Sequence, residues 1–89
     1  MRALDSLNNK NDPNAALTYF DKAILYDNQN AMAYYYRADL KVRVKNNHQA
    51  ALPDLREAKK YAEQQGNKRL AEAAEQYINY LEELIKQGN

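Results

Sequence analysis

The sequence predicts an all-α domain, antiparallel helical hairpins stacked side by side with about five helices. Three observations predict it. Only two Gly and two Pro punctuate the 89 residues, while the stronger helix formers Ala, Leu, Glu, Gln and Lys are abundant. Apolar residues recur three and four apart along most of the chain, the period of a helix face. A small–large–small triplet, Ala16–Phe20–Ala23, returns as Ala51–Leu55–Ala58, each position shifted by 35 (16 to 51, 20 to 55, 23 to 58). A repeat at a fixed period marks a stacked array. The mean hydropathy is strongly negative, which alone would fit disorder, and the regular apolar spacing argues against it.

Composition excludes several function classes. A chain of this length makes one small domain that buries about 60–65% of the surface its unfolded form exposes. Thirteen basic and twelve acidic residues leave a net charge of +1. Polyphosphate binders normally carry a clear positive excess. Without Cys there is no disulfide framework, thiolate metal site or Cys nucleophile. No apolar run approaches the roughly 20 residues that span a bilayer. The opening residues do not resemble a signal peptide, so the expected location is cytoplasmic.

The elements follow in order. Leu4 and Leu7 lie on one face of a short first helix over 3–9, and the run 8–11 breaks it. Asp12 and Pro13 read as a helix start, since Asp caps free amides and Pro suits the first turn. Ala16, Leu17, Phe20, Ala23 and Ile24 form the apolar stripe of the next helix, which ends at Tyr26. Residues 27–30 are a polar turn. The stretch 38–45 alternates apolar and polar as a strand does. As a helix, 31–45 carries two apolar flanks, Ala31, Tyr35, Ala38, Val42 and Ala33, Tyr36, Leu40, Val44. No second strand exists to satisfy its backbone, so the expectation is a helix wedged between two neighbours. Asn47 is placed to cap the following helix, whose stripe is Ala50, Ala51, Leu55, Ala58 and Tyr61 or Ala62. Pro53 inside it predicts a bend or a late start. Gly66 fits just past the last turn. Leu70, Ala73, Ala74, Tyr77, Ile78, Leu81, Leu84 and Ile85 give the last helix, about 68–86, a broad apolar face.

The two triplets, with Tyr34 and Ala38 between them, resemble the tetratricopeptide repeat family. The passage 27–38 looks like the family's junction between repeats. Asn28 stands where Pro is usual, Tyr34 in the Trp or Tyr slot and Ala38 in the Gly slot. The alanines allow close helix approach, and Phe20 and Leu55 fill the space between. The resemblance implies a short α-solenoid with a partial first repeat (1–30), a second repeat (31–67) and a capping helix (68–87). It departs from the family period by one extra residue, placed within 45–48, and by Lys41 in an aromatic slot. Leu4, Leu7 and Phe20, exposed at the start of the array, would favour pairing of two copies.

Catalysis finds little footing. His48 is the only His, too few for a nitrogen-rich metal site. Ser6 and Thr18 lack a local base, and the last helix's carboxylates read as a solvated face. Neither Gly belongs to a phosphate-cradling loop. The expectation is therefore no enzyme, no metal and no cofactor. The row Arg37, Lys41, Lys45 is the best case for nucleic acid, and stems covering apolar surface explain it better. Tyr19, Tyr26, Tyr61, Tyr77 and Tyr80 read as helix packing, and at least one of Tyr34, Tyr35 and Tyr36 as surface. The resemblance implies that first helices line a concave groove for a peptide or partner helix. By register that groove holds Met32, Tyr35, Asp39 and Arg43, with Asn9 from the earlier helix and Lys68, Ala71, Glu75 and Ile78 from the cap. Tyr35 and Arg43 would anchor the partner. Asp39 would prefer a basic or polar group. In the family's carboxylate-clamping members this slot is Asn, so a C-terminal carboxylate is not the expected ligand.

Overall fold

The computed structural model describes residues 13–88, and the expected helix over 3–9, with Leu4, Leu7 and Asn9, lies outside them. Four helices follow in order: α1 (Pro13–Tyr26), α2 (Ala31–Arg43), α3 (His48–Gln64) and α4 (Lys68–Gln87). Among the described residues there is no strand, so the alternating stretch 38–45 resolves as helix and its end.

Asn side chains start three of the helices. Asn30 accepts a hydrogen bond from Ala33 N at 3.2 Å, Asn47 from Ala50 N at 3.1 Å and Asn67 from Leu70 N at 3.2 Å. Each satisfies one amide that a helix start leaves unpaired. The C-terminus of α3 closes on Gly66 at φ 76°, a left-handed conformation open to Gly because it has no Cβ. Gly66 N donates to Glu63 O at 3.1 Å and Asn67 N to Ala62 O at 2.8 Å, the paired closure of a Schellman turn. Asn67 thus ends one helix with its backbone and starts the next with its side chain. The end of α2 is looser. Asn46 takes the left-handed conformation at φ 52°, and Asn47 N reaches back to Lys41 O at 3.0 Å, one residue further than the equivalent bond of Gly66–Asn67.

Pro53 delays nothing: α3 begins at His48, and Pro53 lies in its second turn. Without an N–H it leaves the Gln49 carbonyl without its helical donor. Pro53 is exposed, so water can serve that carbonyl.

The order of contacts fixes the arrangement. Tyr34 stacks on Tyr61, Arg37 binds Asp54, and Ala38 shares a core cluster with Ala51. Numbers fall on one helix as they rise on the other, so α2 and α3 are antiparallel. Ala31 clusters with Ala71, Tyr35 touches Tyr77, and Val42 clusters with Leu84. These numbers rise together, so α2 and α4 run parallel. At one end Gln65 Nε2 donates to Gln29 O at 2.6 Å, tying two turns together.

Small residues make the close approaches. Ala38, Ala51, Ala58, Ala62 and Ala74 are fully buried, with Leu55 and Leu81 as the largest wholly enclosed side chains. Ala16 and Phe20 are buried as well. Phe20 is therefore not the exposed apolar end expected from the sequence: it meets Tyr36 of α2 at 5.6 Å between ring centroids. The most exposed large apolar side chains of α1 are instead Leu25 and Tyr26, at 85% and 94%. Tyr19, Tyr26 and Tyr80, expected to pack between helices, are exposed, and so is Val44 on the second flank of α2.

Candidate functional site

The run Tyr34-Tyr35-Tyr36 shows how α2 is seated. Successive helix residues point about 100° apart, so three adjacent rings cannot share one face. Each instead meets a different helix: Tyr34 stacks on Tyr61 of α3, Tyr35 meets Tyr77 of α4 edge-on, and Tyr36 meets Phe20 of α1. All three are half-buried, so each keeps part of its ring at the surface. The Tyr34 hydroxyl donates to Asn28 O at 3.0 Å and pins the preceding turn.

A front strip on α2 carries the residues expected to line a groove. Met32 is 47% exposed and borders a shallow cavity of about 250 Å3 with Tyr19, Phe20, Ala23 and Tyr36. Further along, Asp39 accepts from the Tyr77 hydroxyl at 2.7 Å and from Arg43 Nη1 at 3.1 Å. Burial first, and then the bond to Asp39, hold the Tyr77 hydroxyl well above the usual tyrosine range. Burial also raises Tyr35, with the Asp39 charge adding to it. The hydrogen bond to Asp39 raises Arg43 in turn. The Asp39 carboxylate is thus engaged within the chain, while the Arg43 side chain stays 73% exposed.

Of the expected groove residues, the structure brings Tyr35, Asp39 and Arg43 together and adds Tyr77. Met32 sits on the same helix toward α1. Glu75 does not join them. It lies on the α3 side of α4, exposed, with its carboxylate 3.9 Å from Lys59 Nζ. Ala71 is buried in the core, while Ile78 packs only partly against the core and lines, with Glu75, a separate open cavity of about 390 Å3 between α3 and α4. Asn9 lies outside the described residues.

The basic row changes meaning. Arg37 grips Asp54 with two nitrogens, Nε to Oδ2 at 2.9 Å and Nη2 to Oδ1 at 2.8 Å. Its third nitrogen reaches Asp21 Oδ1 at 2.8 Å. Lys41 Nζ lies 3.0 Å from Asp54 Oδ2. The hydrogen bond to Asp54 is the largest effect raising Arg37 above its ordinary range. Arg37 and Lys41 therefore spend their charge on Asp54, and do not present a solvent-facing row as nucleic acid would require. Their heads are engaged in these ion pairs rather than free at the edge. Asp54, 5% exposed, is the residue that sequence reasoning missed. A signal was present: it precedes Leu55 in the buried stripe, opposite two cations spaced four apart.

Among the described residues no group of three or more His, Asp or Glu could hold a metal ion. No described helix is long and apolar enough to cross a membrane. Compared with family models, curated proteins and solved structures, the chain matches none.

Proposed function

We propose that this chain is a short tetratricopeptide-like stack, without catalysis, whose front face holds a peptide or partner helix. The reading of the stack is supported by two seats of the same kind, Ala16 with Phe20 and Ala51 with Leu55 and Ala58, all buried, and by α2 and α4 lying parallel. The observation that carries the function is the front strip of α2. Met32 and Arg43 are exposed at its two ends, with the Tyr35 ring and the Asp39–Arg43 pair between. Tyr and Arg are enriched among the anchors of protein interfaces, and Met is enriched in their composition. Arg43, its charge paired with Asp39, offers its exposed stem and remaining N–H donors to the partner, and Met32 adapts its shape. Asp39, held by Tyr77 and Arg43, orients Arg43 rather than selecting a basic group itself.

The test is a random peptide library displayed against the folded chain. Peptides that bind the natural chain should lose at least tenfold in affinity when Tyr35→Ala and Arg43→Ala are combined, with helicity retained. Unchanged affinity removes the strip from the interface. A second reading, docking through end surfaces to another copy or to neighbouring repeats, draws on the exposed Leu25 and Tyr26. Sedimentation at several concentrations separates the two, because a chain that stays monomeric argues against self-docking.

A further inference from the structure

Six aromatic rings form one unbroken row across three helices. From α1 the row runs Tyr19, Phe20, then Tyr36 and Tyr35 on α2, then Tyr77 and Tyr80 on α4. Neighbouring centroids are 5.1, 5.6, 5.9, 5.9 and 6.5 Å apart. The two ends, Tyr19 and Tyr80, are half or more exposed, Tyr35, Tyr36 and Tyr77 are half-buried, and Phe20 is buried, so the rings a partner can reach are the five tyrosines. Among the described residues, no hydrogen bond engages the hydroxyls of Tyr19, Tyr35, Tyr36 or Tyr80. The row therefore offers ring faces and edges together with hydroxyl donors.

We infer that this row is a docking track for an extended, uncharged, proline-rich segment. The inference rests on the proposed reading of this face as an interaction surface, and names the class of partner. Three features select it. A polyproline helix has no internal hydrogen bonds, so its carbonyls are free acceptors for tyrosine hydroxyls, and proline contributes no N–H that would need a partner. Its rings lie flat against aromatic side chains, and its conformation is preformed, so little ordering entropy is lost on docking. The charge on the strip is self-contained. Arg43 is neutralised by Asp39, and Arg37 and Lys41 by Asp54 and Asp21 together. A polyanion that stacks bases would need free cations along the row, and this track lacks them. An amphipathic helix needs pockets for anchors spaced along one face, and along this row the shallow cavity lies at one end, beside Tyr19, Phe20 and Tyr36.

The experiment titrates the full chain with blocked decaproline and watches the tyrosine ring signals by NMR. Saturable binding with Kd below about 1 mM is expected, with shifts in the rings of the row. Removing one ring should weaken binding about 3–10-fold, tested with Tyr35→Ala and, because Tyr35 also packs inward, with the exposed Tyr80→Ala. Tyr26→Ala, off the row, should bind as the natural chain does. No saturable decaproline binding, or binding that ignores both ring deletions, overturns the inference. If library peptides without proline bind at Tyr35 and Arg43 while decaproline does not, the interaction surface stands and the proline track falls. If nothing binds, both fall. Salt-sensitive binding of oligouridine in place of decaproline overturns the choice of partner.

Discussion

Asp54→Asn is the substitution that most sharply tests how the four helices are held. The carboxylate is 5% exposed and takes both nitrogens of the Arg37 fork and the Lys41 ammonium. The amide keeps the shape, loses the charge and turns one acceptor into a donor aimed at cations. Breaking a buried ion pair costs about 3–5 kcal/mol. The Arg37 and Lys41 side chains retain 21% and 27% of their exposure, so water recovers part of that. The expected loss is about 2–3 kcal/mol, from a total that for a small domain is of order 5–10 kcal/mol. At this chain length it corresponds to a fall in Tm of roughly 10–20 °C. Urea unfolding followed by circular dichroism reads it, and a double-mutant cycle with Arg37→Met isolates the pair. A loss below about 0.5 kcal/mol, the scale of an ordinary surface change, would refute the claim that Asp54 clamps α2 to α3.

Other outcomes follow from the same structure. Leu55→Ala, at a wholly enclosed site, should cost about 2–5 kcal/mol, and Ala58→Leu should destabilise by overpacking by about 1–3 kcal/mol; denaturant midpoints measure both. Gly66→Ala has open space around the added methyl but a φ of +76°, so its cost should be backbone strain alone, about 1 kcal/mol, read from the same curves. The raised Tyr77 hydroxyl sets an alkaline limit. A group whose pKa rises on folding contributes its full stability below the unfolded value, about 10 for tyrosine, and loses it as pH climbs through the folded value. Ultraviolet titration should show a late-ionising class of tyrosines that loses one member in Tyr77→Phe, with stability constant through neutral pH and falling above about pH 10.

Much of the helix pattern was legible because it depends on local chemistry. Pro13, Asn47 and Gly66 mark real helix boundaries, and the stripe containing Ala51, Leu55 and Ala58 is fully enclosed. The strand-like alternation of 38–45 yielded to helix because its apolar residues could serve two flanks. What escaped the sequence depends on which side chains meet across long separations. Tyr77 read as simple packing, yet its hydroxyl meets Asp39, far away in the chain. Arg37 and Lys41 read as surface cations because their partner, Asp54, stood in a stripe otherwise apolar. Glu75 shares α4 with Tyr77 but sits toward α3, paired with Lys59, and a register carried over from a family resemblance does not show which side of α4 meets which neighbour. Exposed Tyr26 and Val44 follow apolar periodicity to the ends of their helices, where no neighbour remains to cover them.

An amide chemical-shift map of the chain with a library-selected peptide bound addresses the central claim most directly. The expected changes cluster at Met32, Tyr35, Asp39 and Arg43 on α2 and at Tyr77 on α4, with the α3–α4 surface around Arg56 and Glu63 unmoved. Changes confined to that α3–α4 surface, with the α2 strip silent, would contradict the account.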